Sequence, residues 1–462
     1  MTKEELESTH PDYENLIDEW RFFLRSYMGG KSYKEGDYLM QHPFESTTNY
    51  NRRKETSYYY NYCGPIVDIL VSHLFRKPAR RDYGTLSGDP LFGAFLRDAD
   101  LDGNTLQQFM RDAQRFASIY GRVSIVVDKP MVSTLSRAEA VDYDIRPYTA
   151  LVTPENLVDW SFTRLPSGRP ILDMVKIREA RDIYRVWTRQ GWELWEVVED
   201  EVRLLGADEH GLGQVPVVNL YNKQSGMKML GISDIQDIAD VNKNIYYLCS
   251  DAKEIIENTA FPMLAMPYTR GGGEEERELG PRNILQFDPS EPNSKPYWLE
   301  PPHSSLSEIR EWIKQDIAEI HRIAKMGGVK ATEDFSRPRS GVALELEYQQ
   351  LHAVLAEKAD NIEQAETRIL ELWARWQDSE FDGVVDYPDD FSVRDLTRDL
   401  EKAFKAQSAR VGSATFGREI EKAIAGAVLP KLDEELIKRI YAEIDAAPAA
   451  STHREEEVKD VE

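Results

Sequence analysis

Apolar residues recur at three- and four-residue steps from Pro11 to Met28. Tyr13, Leu16, Ile17, Trp20, Phe23, Leu24 and Tyr27 share one face there, which predicts an amphipathic helix. Gly29 and Gly30 end it. A second helical stretch is expected from about Tyr50 to Phe75, interrupted at Gly64-Pro65, because proline lacks the backbone donor and disfavours helix in its predecessor. A third runs from about Thr105 to Tyr120, stops at Gly121 and gives way to a buried-strand pattern over Arg122–Asp128. Between Pro147 and Tyr221, short runs such as Asp182–Thr188 and Trp192–Val198 alternate apolar and polar residues and are split by glycine-containing turns. This pattern predicts an antiparallel sheet set among helices, so residues 1–230 read as one α+β unit.

The second half is dominated by helical periods. Ile235, Ile238, Asn242, Ile245, Cys249, Ala252 and Ile256 form a stripe on a helix from about Ser233 to Asn258, with Asn242 its one polar member. Residues 259–303 are proline-rich, with Phe261–Met266, Ile284–Phe287 and Tyr297–Leu299 as strand candidates around an acidic loop, Gly271–Glu276. Ser305 and Glu308 make a capping-box pattern for the next helix, which carries Leu306, Ile309, Ile313, Ile317, Ile320 and Ala324 on one face and ends at Gly327-Gly328. A polar segment, 327–340, precedes a much longer helix in which Leu344, Tyr348, Leu351, Leu355, Ile362, Ile369, Trp373 and Trp376 stay in phase to about Gln377. At ~1.5 Å per residue it would be about 55 Å long, an organising strut. A strand-like Val384–Tyr387 follows within 341–392. Residues 393–446 are expected to be helical from about Leu396, with breaks at Gly412, Gly417 and Pro430, and the polar, aperiodic 447–462 to be disordered.

Composition narrows the class. At ~150 residues per domain, 462 residues allow about three units. With 41% hydrophobic and 30% charged residues the chain should fold as an ordinary globular protein. Its 81 acidic against 57 basic residues give a net charge of -24, which argues against an extended grip on a polyanion. A conduit past which DNA moves without sticking remains compatible with that charge. Cys63 and Cys249 lie far apart without CxxC spacing, so neither a disulfide framework nor a zinc site is expected. The acidic start MTKEELESTH has no signal-peptide pattern, and no apolar run approaches the ~20 residues that span a bilayer. The expectation is a protein cytosolic when made, with no membrane partner.

Candidate chemistry is sparse. Gly30-Lys31-Ser32 imitates the end of a phosphate-binding loop, but the required first glycine falls at Arg25. No histidine sits in HExxH spacing and no GxSxG occurs, so no catalytic residue, cofactor or metal is expected. Asp386, Asp389 and Asp390 have the chemistry to share a divalent cation, against the plainer reading of a solvated turn. Glu274, Glu275 and Glu276 are either a solvated loop or a docking surface for a basic partner. Arg76, Lys77, Arg80 and Arg81 read as a helix carboxyl terminus and surface loop. Tyr58, Tyr59, Tyr60 and Tyr62 fit packing better than base stacking.

The order of these parts resembles the portal proteins of tailed bacteriophages. Tyr50-Asn-Arg-Arg53, Leu74–Pro78, Asp100–Gly103 leading through Ala117–Arg122, and Pro154–Trp160 are similar to that family's amino-terminal region. The resemblance covers most of residues 10–440, by order of elements more than by invariant motifs. It implies a mainly helical α+β portal fold, with wing (1–230), first stem helix (231–258), clip (259–303), second stem helix (304–326), tunnel loop (327–340), wing helix and strand (341–392) and crown (393–446). It further implies a closed ring, usually of twelve copies, at one capsid vertex of the virion, assembled in the host cytoplasm among major capsid and scaffolding proteins. The clip, with Glu274, Glu275 and Glu276, would dock the terminase and then a tail connector or adaptor. Such proteins are not enzymes; the terminase hydrolyses ATP. Lys330, Arg337 and Arg339 in the tunnel loop would touch double-stranded DNA in the channel, or else pair with Glu333, Asp334 and the neighbouring subunit. The alternatives are another ring-forming head-completion or adaptor protein and, from a different class, a carboxylate-dependent hydrolase or nuclease built on Asp386, Asp389 and Asp390.

Overall fold

Thr2 caps the first helix, α1 (Lys3–Glu7), in a reciprocal box with Glu5, and His10 with Pro11 starts α2 (Pro11–Met28). The computed structural model describes residues 1–130, 136–199, 201–260, 263–267, 285–287, 295, 297–299, 304–325, 341–388, 391, 413–428 and 434–446. After α2 the chain forms α3 (Gly30–Glu35), α4 (Thr47–Thr56), α5 (Cys63–Leu74), a short strand β1 (Arg80–Asp82) and α6 (Pro90–Arg97). A Thr105/Gln108 capping box opens α7 (Leu106–Tyr120), and Gly121, at φ 87°, turns it directly into β2 (Arg122–Asp128). Any side chain at Gly121 would also strike the carbonyl of Gly231. Next come α8 (Arg137–Asp142), β3 (Tyr148–Val152), β4 (Leu157–Arg164), β5 (Pro170–Ala180), β6 (Ile183–Thr188), β7 (Gly191–Val198), β8 (Glu201–Glu209) and β9 (Val217–Tyr221).

The expected single sheet is in fact two. β2 is the centre of a three-stranded antiparallel sheet between β3 and β9, whereas β4 to β8 form a separate five-stranded antiparallel meander. The continuous burial of β2 from Arg122 to Val127 marks the difference, because a strand covered on both faces carries no alternation. α9 (Gln236–Ala260) then leads to three short strands, β10 (Met263–Pro267), β11 (Leu285–Phe287) and β12 (Tyr297–Leu299), in the order β11-β10-β12. α10 (Ser304–Ile323) and the 35-residue α11 (Gly341–Arg375) follow, the latter about 52 Å long at 1.5 Å per residue. β13 (Val384–Asp386) closes this unit by pairing antiparallel with β1. Residues 392–462 form a second unit, in which helices Ala414–Val428 and Glu434–Ala446 pack together and Lys422 reaches Asp445 at 2.6 Å.

Three expectations need correction. The break in the Tyr50–Phe75 stretch falls at Ser57–Tyr62, between α4 and α5, and not at Gly64-Pro65. Pro65 sits in the first turn of α5, where a missing N–H costs no helical bond. Ser305 is not a cap, since α10 has already begun at Ser304. Gly417 lies inside a helix and does not break it; a lone glycine costs only ~1 kcal/mol there. The Leu396–Gly412 helix and the disordered tail at 447–462 fall outside the described residues.

The core of the first unit forms where the carboxyl-terminal half of α11 crosses β2, β9 and α7. Trp373 is fully buried against Phe92 and Phe95, and its indole N–H donates to Pro147 O at 3.1 Å. Trp376 donates likewise to Val127 O at 2.8 Å. Arg81, expected on a surface loop, instead points inward and forms a bidentate pair with Glu366 of α11, at 2.6 and 3.0 Å. Tyr387 completes the group, donating to Glu366 at 2.6 Å, and burial beside that carboxylate pushes its hydroxyl well above its ordinary pKa. Breaking one partner of such a pair leaves the other charge stranded, so Arg81→Leu should destabilise by about 3–5 kcal/mol, and Arg81→Leu with Glu366→Leu by clearly less. Urea unfolding of wild type, both single variants and the double variant measures the coupling; additive losses would contradict it.

Candidate functional site

α9 and α10 form an antiparallel pair that leaves the body and returns, joined by the three-stranded insert, in which β10 pairs parallel with β11 and antiparallel with β12. Asn244 Nδ2 donates to Asp316 Oδ2 at 2.7 Å between the two helices. The root of α9 is buried and its far end is not. Ile235, Ile238, Asn242 and Ile245 are fully buried and Cys249 nearly so, whereas Ile256, on the same stripe, is 51% exposed. On α10, Ile320 is buried, Leu306, Ile309, Ile313 and Ile317 are half-covered along the stripe, and Trp312, beside the stripe, is 59% exposed. An apolar stripe that runs past the body's own cover, as on α9, leaves apolar surface available to a partner.

Buried polar groups fix where this pair stands. Asn242, the polar member of the stripe, accepts from Tyr59 Oη at 2.9 Å and Tyr62 N at 3.1 Å, and donates to Tyr60 O at 2.8 Å. It thereby straps α9 to the segment between α4 and α5. Tyr59 also stacks on Tyr33 with ring centroids 3.7 Å apart, so it packs as expected, while Tyr58 and Tyr60 are exposed. Further along α9, Arg53 of α4 donates to Ser250 Oγ at 3.2 Å and holds Glu45 in two bonds of 2.8 Å. At the foot, Lys358 of α11 reaches both oxygens of Asp234, at 2.7 and 2.8 Å, and also Asn222 Oδ1. Asn222 in turn accepts from Gln114 and Ser118 of α7 and donates to Asp234 at 2.9 Å.

Sequence reasoning singled out Asn242 but missed Lys358 and Glu366. Both were detectable, because each falls in phase with Leu355, Ile362 and Ile369 on the buried face of α11. The other candidates separate widely. Asp386 is exposed on β13 opposite Arg80, and its proposed companions Asp389 and Asp390 lie outside the described residues. Glu274, Glu275 and Glu276, and the basic set Lys330, Arg337 and Arg339, also lie outside them. Lys31 pairs with Glu35 at 3.7 Å on the surface of α3, a structural role. Among the described residues no group of three or more His, Cys, Asp or Glu is placed to hold a metal ion, and no helix is long and apolar enough to cross a membrane.

A family model described as a domain of unknown function, DUF4055, matches residues 234–377, the span from the root of α9 through the insert and α10 to the end of α11. No curated protein matches the chain. Among solved structures, a chain of the virion of a native gene transfer agent particle is similar at a TM-score of 0.42 and 13% identity, over 76% of this chain and 85% of that one. A chain from the neck of the empty particle, computed with C6 symmetry, gives 0.40 and 10%, over 82% and 95%. One from the neck of the native particle, computed with C12 symmetry, gives 0.42 and 11%, over 78% and 89%.

The Arg53 clamp makes the setting of α9 acid-sensitive. Hydrogen bonds from Arg53, then the His42 backbone N–H, hold the Glu45 carboxyl down at about 2 against an ordinary value of 4.5. A depressed acid stabilises the fold above its unfolded pKa, and that contribution fades as pH falls from 4.5 toward 2. Glu45→Gln should therefore be less stable than wild type at pH 7, with the gap closing over that window. Thermal melts from pH 7 to 2.5 measure it, and a gap independent of pH would refute the assignment.

Proposed function

We propose that this chain is a structural subunit of a phage-type head–tail junction, and within it the portal subunit, which closes into a ring around the path of the genome. The observation that carries the reading is the paired α9 and α10, where the α9 stripe outruns the body at Ile256 and α10 exposes Trp312 beside its stripe, while a strand insert joins their far ends. A second copy of the chain is the natural cover for such a surface. Head-to-tail repetition buries the same faces at every interface and closes if the rotation is right.

The element order supports the finer assignment: a body of helices and antiparallel sheets, an outgoing helix, an insert, a returning helix, a polar segment and a long helix. On this reading the ring has twelve copies, residues 259–303 are the clip that meets the terminase and later the tail connector, and Glu274, Glu275 and Glu276 lie on that docking surface. Residues 327–340 would line the bore, where Lys330, Arg337 and Arg339 against Glu333 and Asp334 leave a local charge of +1, three minus two, in a chain of net charge -24. Repeated around a ring, that weak charge touches phosphates transiently while the acidic remainder prevents adhesion. The chain itself performs no catalysis in this role.

Electron microscopy of the purified protein should show a ring with a central hole. Trp312→Asp should give subunits with unchanged helix content and melting temperature that no longer close, since removing a large apolar anchor costs about 2 kcal/mol or more at each interface. Intact rings in Trp312→Asp, or only monomers and dimers of wild type by native mass spectrometry over a wide concentration range, would overturn the reading.

Replacing Lys330, Arg337 and Arg339 together with Gln should leave rings intact and lower the packaging or retention of DNA. Normal packaging and retention in a phage carrying all three changes would remove them from the channel.

A further inference from the structure

Five cationic side chains are buried among the described residues, and four end on a carboxylate: Arg53 on Glu45, Arg146 on Asp98, Lys176 on Asp159 and Lys358 on Asp234. Arg122, the first residue of β2 and 1% exposed, is the exception. Its Nη1 donates to Ser124 Oγ at 2.7 Å and Asn219 Oδ1 at 3.3 Å, and its guanidinium carbon lies 5.7 Å from the centre of the Trp160 ring. Its buried Nη2 has no acceptor among the described residues. Burial draws the group down to about 10, so it still carries its charge at neutral pH. A buried charge without a counter-charge is costly, and the surrounding fold leaves room for one.

Arg122 lines a half-open cavity of about 270 Å³ between α2, the end of α7 and the loop that precedes α9. Trp20, Phe23, Met229 and Leu230 give it apolar walls. Glu19 lines it too, yet forms no ion pair with Arg122, and burial together with the nearby Asp240 raises its carboxyl above the ordinary value. We propose that this cavity is a binding site for a monocarboxylate, with the carboxylate on Arg122 and the apolar body against Trp20, Phe23 and Met229. The free guanidinium nitrogen offers a charge-assisted hydrogen bond to a carboxylate oxygen. A phosphate dianion would need more donors and would meet Glu19 with a second negative charge. The inference is independent of ring formation.

The probes are sodium propionate and sodium phenylacetate, titrated into the purified full chain at ionic strength held constant with sodium chloride. Binding is followed by tryptophan emission, to which Trp20 and Trp160 report, and by melting temperature. Wild type should show a saturable response to the carboxylates beyond the chloride control. Arg122→Gln should weaken it by roughly tenfold to a hundredfold, the cost of losing a charged hydrogen-bond partner. Met227→Trp narrows the mouth of the cavity at an exposed position without touching the guanidinium, and should also weaken binding; it decides the matter if Arg122→Gln does not fold. Glu19→Gln should tighten binding. A wild-type response no greater than that to chloride, or one unchanged by Met227→Trp, would overturn the site. Where copies associate, loss of the response on assembly assigns the native carboxylate to an acidic side chain of the neighbouring copy, and persistence assigns it to a free molecule.

Discussion

A buried lysine needs its carboxylate, and the position of that pair decides how the two halves of the first unit meet. Lys358, Asp234 and Asn222 bring α11, the approach to α9 and the end of β9 to one point, with Gln114 and Ser118 adding α7. Asn222 N also donates to Gly121 O at 2.9 Å, so the same residue is tied to the turn between α7 and β2. α9 starts two residues after Asp234, and its departure from the body is therefore set by groups that cannot shift without stranding a charge. The mutual approach of Gly121 and Gly231 serves the same junction, since their backbones meet where any Cβ would intervene.

From that fixed root the pair α9 and α10 acquires a graded character. Near the body, Asn242 and the Arg53 clamp tie α9 to its neighbours with polar bonds in protected positions. Farther out the stripe continues in sequence but loses its cover. One helix is thus an interior element at one end and a surface element at the other, and the change occurs after Cys249 although the stripe still carries apolar Ala252 and Ile256.

How much of this was legible depended on the range of the interactions. Periodicity located α2, α7, α9 and α11, and the turn at Gly121, because those signals are local. The polar residue in the α9 stripe was visible too, although its partners, the hydroxyl and backbone groups at 59–62, were not. Arg81 was misread as a surface cation because its carboxylate lies 285 residues away, and Arg53 draws on groups of α9 that are about two hundred residues distant. The division of one expected sheet into two was hidden for the same reason, since β2 takes its neighbours from strands separated by the whole meander. Arg122 stands at a turn leading into a strand, and nothing in its local sequence reveals that it lacks a counter-charge.

The pairing of β1 with β13 has a consequence in time as well as in space. Residues 80 to 82 find their strand partner only at 384 to 386, and the intervening chain includes α9, the insert and α10. On a ribosome, the amino-terminal helices emerge long before the segment that closes them, so Arg81 waits without its carboxylate through most of synthesis. Closure of such a distant contact is slow to nucleate. The outgoing pair is consequently translated while the body is still open, and its root is closed only after residues 384 to 386 have followed.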